Sequence, residues 1–305
     1  MLRVISVVLI ASVLAAAQTG LEKTLTVNVD LVNVYFTVCN HKGRLIPDLG
    51  RESFAVFEDG ESQVITNFSR ETDTPLTIVL LIDVSGSVRD KLQFEQNAAT
   101  QFLYGTLRRG RDKAALFAFE YSTEMQQDYT DNPAVLATAV RKMRAGGGTR
   151  LYDALHLVVK QKLMGAEERK FIILITDGED KSSRLTPQEV VDIAQRNNVS
   201  IYAISMNALG AKRSESDRSD RILDMLASET GGRAFFPRKL ENMVSDFKQI
   251  DNELRLQYTI GYRSTNSKRD GTFRNIRIEV KNRVKYSVRA RAGYYAPTMT
   301  IANRN

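Results

Sequence analysis

Thiol and imidazole side chains are scarce in this chain of 305 residues. Cys39 is the single cysteine, so an intramolecular disulfide is excluded and the fold must be held by its core. It reads as a small strand residue rather than a nucleophile. His41 and His156 are the only histidines, which argues against a zinc site built on histidine and cysteine. Low-complexity tracts are absent, and a composition of 43% hydrophobic and 26% charged residues is that of a globular protein. The length allows one large domain, or one large and one small. Long apolar runs are missing except at the N-terminus. There Arg3, an apolar stretch over residues 4–14 and Ala15-Ala16-Ala17 follow the pattern of a secretory signal peptide spanning residues 1–17. The stretch is too short for a permanent span, although an uncleaved anchor is the alternative. No cysteine follows it, which speaks against lipid attachment. The expectation is an exported chain, periplasmic or extracellular, with no transmembrane span in its mature form.

Charge is present but unevenly placed. Of the formal +7, the segment 263–291 alone carries +8, with ten Lys/Arg against Asp270 and Glu279, so the rest of the chain is close to neutral. Such a surface could meet nucleic acid, an anionic envelope surface such as lipopolysaccharide, or an acidic protein. The plainer reading, a solvated sheet face, is preferred. No aromatic residues at recognition spacing and no nucleic-acid motif accompany the charge, so no specific nucleic-acid partner is expected.

Periodicity divides the chain into three regions. Residues 24–69 alternate as strands, with a change of phase near Leu31 that suggests a bulge or break. From residue 76 to about 254, short apolar runs at 76–82, 114–119, 171–175 and 199–205 alternate with helical stripes, as in a sheet covered on both faces. One stripe runs from Leu151 to Leu163 and stops at Gly165. Another runs from Leu240 to Leu254. Thr186-Pro187-Gln188-Glu189 combines a capping box with proline at the first helical position and marks a helix start. Residues 207–221 read as a long polar surface loop. After residue 254 strands return at 257–262, 273–280 and 286–290, with Asp270-Gly271 as a turn signal. Each flanking β segment is too small to fold alone. The predicted architecture is therefore α/β, a doubly wound and mainly parallel, Rossmann-like sheet inserted in a small β-sandwich formed by the N- and C-terminal strands. The expected organisation is a signal peptide over 1–17, N-terminal sandwich strands over 18–72, the α/β domain over 73–254, C-terminal sandwich strands over 255–297 and a tail over 298–305.

Chemistry gathers at the strand ends. Asp83-Val84-Ser85-Gly86-Ser87 follows the strongest apolar strand, and Asp177-Gly178-Glu179-Asp180 follows the second strongest. In an open parallel sheet these ends open into one crevice. Gly146-Gly147-Gly148-Thr149, just before the helix starting near Leu151, adds a third loop with a hydroxyl. Two aspartates, two serines and a threonine are all oxygen donors. They suit a hard cation such as Mg²⁺, with Mn²⁺ as a substitute. The glycines let the backbone turn tightly beside the ion. The alternative is that Asp83 and Asp177 merely cap helices or turns. Each motif is weak alone; their order and strand context make the combination specific.

Three segments carry a resemblance: residues 76–87 (LTIVLLIDVSGS), 146–155 (GGGTRLYDAL) and 171–180 (FIILITDGED). They are similar to the von Willebrand factor type A (VWA) family and its metal-ion-dependent adhesion site. The resemblance implies direct ligation by Ser85 and Ser87, and ligation by Thr149 directly or through water. It implies roles for Asp83 and Asp177 through water and hydrogen bonds to the serines, with Gly86, Asp153 and Gly178 in support. The flanks, FAVFEDGESQVITN at 54–67 and RARAGYY at 289–295, resemble the VWFA-related proteins exported by bacteria. The function so implied is a non-enzymatic binding or adhesion module whose partner, a protein or matrix component, supplies a carboxylate to the metal. It also implies a last helix, about 239–254, that shifts as coordination changes. Two further readings stand beside it: a structural envelope protein attached through its basic C-terminal strands, and a metal-dependent hydrolase. The hydrolase reading lacks a histidine or a second carboxylate cluster at the site.

Overall fold

A computed structural model of the chain describes residues 31–71, 73–166, 169–207, 213–239 and 241–298. The signal-like segment, the phase change near Leu31 as it falls on residues 27–30, and all but the first residue of the expected tail lie outside the described residues.

Two strands carry the α/β domain. In β5 (Leu76–Asp83) and β8 (Arg169–Thr176) every residue is buried. They pair in parallel with Ile82 beside Ile175. Around them lie β6 (Lys113–Phe119), β7 (Thr123–Thr130), β9 (Val199–Ser205) and β10 (Ala234–Phe235), in the order β10-β9-β8-β5-β6-β7. All pair in parallel except β7, which runs antiparallel to β6 at the edge. Successive side chains of β5 feed opposite cores. Ile78, Leu80 and Ile82 pack in one cluster with residues of α1 (Leu92–Thr106), α2 (Pro133–Lys142) and α6 (Asn242–Arg255). Val79 and Leu81 pack in another with α3 (Leu151–Val158), α4 (Pro187–Arg196) and α5 (Arg213–Glu229). The period of two explains why apolar residues run without interruption: both faces are covered. Each such side chain contributes on the order of 1.5–3 kcal/mol by leaving water.

Several elements differ from the sequence reading. β7 is polar (TEMQQDYT) and exposed along much of its length, so it has no apolar signature. The stripe 151–163 begins as α3 and ends in a π turn, Val159–Leu163. The expected loop at 207–221 is helical from Arg213 onward. Its first turns carry little apolar periodicity, and the buried Leu223, Leu226 and Ala227 appear only further along. The expected capping box holds: the Thr186 hydroxyl accepts the Glu189 N–H, and Glu189 accepts the Thr186 N–H.

The flanking strands form two antiparallel sheets. One has the order β13-β1-β11-β4, from β13 (Tyr286–Ala290), β1 (Leu31–Asn40), β11 (Gln257–Arg263) and β4 (Ile65–Glu71). The other has the order β14-β12-β2-β3, from β14 (Gly293–Tyr295), β12 (Phe273–Val280), β2 (Phe54–Glu58) and β3 (Glu61–Gln63). Val34, Phe36, Val56, Tyr258, Ile260 and Ile278 share one core between them. Phe36 meets Phe54 edge-on at 5.1 Å and stacks on Tyr258 at 5.3 Å. Thus β1, from before the α/β domain, pairs with β11, from after it.

Only Leu256 separates α6 from β11, and ion pairs hold this junction. Arg255 reaches Asp112 at 2.6 Å and the Thr106 carbonyl at 2.6 Å. Glu253, 2% exposed, accepts Arg233 at 2.9 Å and Arg289 of β13 at 2.8 Å. Asp112 also accepts the N–H of Leu76 at 3.0 Å and of Arg108 at 2.9 Å. Burial pushes the Asp112 carboxyl up, but the hydrogen bonds from Arg255 and Arg108 outweigh it and bring it down to about 2. Its stabilising contribution is therefore complete above about pH 4 and disappears as pH falls through about 2. Replacing Asp112 with Asn strands two arginines and is expected to lower stability by about 3 kcal/mol at neutral pH. In denaturant titrations across pH 2–5, the variant should also show a shallower acid dependence than the parent.

Candidate metal centre

Chain order reverses at the β5/β8 pair: β6 and β7 lie to one side of β5, β8 to β10 to the other. Loops leaving such a point diverge and open a crevice at the carboxyl ends of the strands. Asp83 closes β5 there and is fully buried. One carboxylate oxygen accepts the Ser85 N–H at 2.8 Å, the other the Thr176 hydroxyl at 2.7 Å. The Thr176 oxygen also accepts the Gly178 N–H at 3.0 Å, so one residue links both aspartate loops.

The serine hydroxyls lie in front of this pair. Ser85 Oγ is 3.0 Å from Ser87 Oγ, and Ser87 donates to Asp177 Oδ2 at 2.6 Å. The other Asp177 oxygen accepts the Glu179 N–H at 3.1 Å. Side chains ninety positions apart thus form one connected row of oxygens. The third loop docks on both of the others. Gly86 donates to the Gly147 carbonyl at 3.1 Å, Gly146 to the Val84 carbonyl at 2.7 Å, and Lys181 to the Thr149 carbonyl at 3.2 Å. Thr149 is buried between them.

The supporting residues divide. Gly178 has φ +74°, and a Cβ there would press on Leu223 and Ser219 of α5, so it is required twice over. Gly86 has ordinary space for a Cβ, its nearest neighbour lying 3.5 Å away. Asp153 accepts the N–H groups of Arg184 at 3.0 Å and Leu185 at 3.1 Å, and so braces the loop behind Asp177.

Other residues of the site gave little sequence signal. Thr176 is the last residue of an apolar strand, and only pairing reveals that it faces Asp83. Glu120 and Tyr121, in the β6–β7 turn, pack directly on Gly147 and Gly148, and Gly147 has φ +66°, a conformation that favours glycine. Glu95 on α1 is fully buried, and neither carboxylate oxygen has a hydrogen-bond partner among the described residues. Its spacing from Leu92 and Ala99 is the available clue: an acid on a core-facing stripe.

Burial is the main reason the Asp83 carboxyl is pushed up to about 6; the charge of Asp177 adds to it, and the bonds from Ser85 and Thr176 oppose it. Burial likewise holds Glu95 well above the usual carboxylate range, with Asp83 adding to the effect and Lys91 working against it. The crevice is thus crowded with like charge and lined with oxygen. Among the described residues no three His, Cys, Asp or Glu side chains are disposed to hold a metal. A cation here would rest on the serine hydroxyls together with the aspartates. Such a donor set fits a small hard cation, whose charge would offset the repulsion between Asp83 and Asp177.

Fold and crevice together define a Rossmann-like α/β binding domain carried on a β-sandwich. Residues 77–251 match the model of the von Willebrand factor type A domain, and the chain belongs to this family. Domains of the family are commonly metal-dependent protein-interaction modules. Among curated relatives, mouse integrin alpha-M is 29% identical over 189 residues, 58% of this chain and 15% of the integrin. Human von Willebrand factor A domain-containing protein 3A is 30% identical over 167 residues, 52% of this chain and 13% of that protein. The chain therefore spans a small share of the curated relatives it matches. Among solved structures, a von Willebrand factor type A protein from Catenulispora acidiphila aligns with TM-score 0.50 at 15% identity, covering 82% of this chain and 75% of that one. Proximal thread matrix protein 1 from the mussel byssus, solved with a zinc-occupied MIDAS motif, aligns with TM-score 0.51 at 18% identity, covering 65% of this chain and 49% of that one. These structural likenesses concern the fold.

Because the Asp83 pKa is raised on folding, metal-free protein loses stability as pH climbs from about 4 through about 6. The size of the loss is about 3 kcal/mol. Thermal unfolding in the presence of a chelator should show it, and Asp83→Asn should remove it.

Proposed function

We propose that this chain is an exported, non-enzymatic binding module that holds Mg²⁺ or Mn²⁺ at Asp83, Ser85, Ser87, Thr149 and Asp177. The ion would capture a carboxylate from a protein or matrix partner. The supporting observation is the connected row of oxygens from Ser85 through Ser87 to Asp177, with Asp83 fixed behind it. Ser85 and Ser87 would ligate the ion directly. The aspartates serve by accepting hydrogen bonds and by balancing charge, and Thr149 stands on a loop bonded to both others. A divalent ion held by few formal charges remains electrophilic, and that attracts an anionic group of a partner. The remainder of the chain supplies position: β5 and β8 bring the aspartates together, and the glycine loop allows close approach.

A hydrolytic reading finds no support in the placement of the histidines. His41 lies in a sandwich turn bonded to the Val284 carbonyl, and His156 is on α3. Among the described residues, neither is bonded to the crevice residues. The proposed organisation of the chain is a leader over residues 1–17 and an α/β domain over 73–254. That domain is carried by sandwich segments 18–72 and 255–297, with a tail from 298.

Addition of Mg²⁺ to chelator-treated protein should raise its melting temperature. At a hundred times the dissociation constant the gain is about 2.7 kcal/mol. Ser87→Ala and Asp83→Ala should abolish the response. An envelope-extract pull-down should recover a partner with Mg²⁺ and lose it with EDTA or with Ser85→Ala. A partner retained equally in EDTA would overturn the metal-dependent reading and favour attachment through the basic strands.

A further inference from the structure

The excess charge of residues 263–291 is not spread evenly over a sheet. Arg274 is buried against Glu58 at 3.3 Å. Arg289 is taken by Glu253, and Arg291 is directed to Asn198 and the Asn33 carbonyl. Arg277 pairs with Glu279 and lies over the Phe57 ring. Arg263 and Lys268 are exposed as well, and in the turn between β12 and β13, Lys281-Asn282-Arg283-Val284-Lys285, all five consecutive residues are exposed.

A second turn, distant in sequence, lies against it. β1 ends at Asn40, and His41-Lys42-Gly43-Arg44 follows, again exposed throughout. Asn40 ties this turn by accepting the N–H groups of Lys42 at 2.9 Å and Arg44 at 3.0 Å. His41 bonds to the carbonyl of Val284, which joins the two turns. β1 and β13 pair beside them, Asn40 with Tyr286. Lys42, Arg44, Lys281, Arg283 and Lys285 thus gather at one end of the sandwich. The neighbouring acids are Glu279, which pairs with Arg283, and Glu52, next to the Ser53 carbonyl that accepts the Lys281 N–H. Positive charge remains in excess.

At the centre of this basic group stands an apolar side chain. Val284 is 85% exposed, more than any other large hydrophobic residue among those described. A valine held out into water between Arg283 and Lys285 has no role in the sandwich core. A basic ring around an apolar tip is the pattern that suits a lipid headgroup region: phosphates meet the bases and the tip enters the acyl boundary. The patch also lies at the end of β13 away from Arg289 and Arg291, the residues that contact the α/β domain. It is therefore separate from the metal crevice.

We propose that this end of the sandwich docks the protein on bilayers that carry anionic phospholipid. Each Lys or Arg near such a surface strengthens attachment by about fivefold, and salt weakens it. The test is co-sedimentation of the full chain, in EDTA, with vesicles of phosphatidylcholine alone and of phosphatidylcholine mixed with phosphatidylglycerol. The apolar stretch at residues 4–14 is common to every variant, and binding to the neutral vesicles reads its contribution. The expected result is attachment that requires phosphatidylglycerol and falls with salt. Lys42→Ala should weaken it about fivefold and the double change Lys281→Ala/Lys285→Ala about twenty-five-fold. Val284→Asp should weaken it further than a neutral Val284→Ser. As a control for net charge, Arg141→Ala/Lys142→Ala on α2 should leave it unchanged. The proposal is overturned if the α2 control loses as much as the turn variants, or if neutral vesicles bind equally and the turn variants have no effect. It is also overturned if soluble anionic polysaccharide binds as well as vesicles and Val284→Asp costs no more than the added charge explains.

Discussion

The carboxylate of Asp83 sits without solvent access at the carboxyl end of the central strand, within range of a second carboxylate, Asp177. Burying an ionised group costs several kcal/mol unless hydrogen bonds replace its hydration. Here two donors do so, the Ser85 N–H and the Thr176 hydroxyl. The first is local to the turn that follows β5, and the second depends on β5 and β8 being neighbours in parallel register. The turn after Asp83 is thereby set, and with it the placement of Ser85 and Ser87. The same pairing leaves negative charge concentrated at one rim, with Glu95 buried behind it. Under the proposed reading, a cation at the rim would offset this charge.

The loops around the rim are held by backbone bonds as well as by side chains. Gly146 and Gly86 exchange bonds between the serine and glycine loops, and Lys181 ties the third loop to Thr149. Glu120 and Tyr121 then lie on glycines whose missing side chains admit them.

At the far end of α6, three sets of contacts converge. Arg255 with Asp112, Glu253 with two arginines, and Arg169 with the Leu254 carbonyl at 2.6 Å fix the last turn of the helix. One residue later the chain enters β11, an inner strand of the sandwich. The end of α6 is thereby tied to the sandwich both along the chain and through Glu253 and Arg289.

Much of this was legible from residue order. Uninterrupted apolar runs marked β5, β6, β8 and β9 because strands covered on both faces have no polar side. The capping box at Thr186 fixed the start of α4 because it depends on four consecutive residues. Four candidate ligands were legible because their motifs sit at strand ends, and Thr149 because a glycine run precedes a helix; the alternating flanks marked the sandwich strands. Local sequence could not supply what depends on partners distant along the chain. β7 is polar because it is an edge, and α5 begins in a charged stretch whose apolar face comes later. The role of Thr176 required knowing which strand lies beside β5. The segment 263–291 announced its charge but not its distribution, since Glu58 and Glu253 take Arg274 and Arg289 while the turn 281–285 stays exposed. Sequence alone determined which residues carry oxygen and charge, because residue type does that. Tertiary structure decided which of them meet, because proximity between residues ninety or two hundred positions apart is created only by packing.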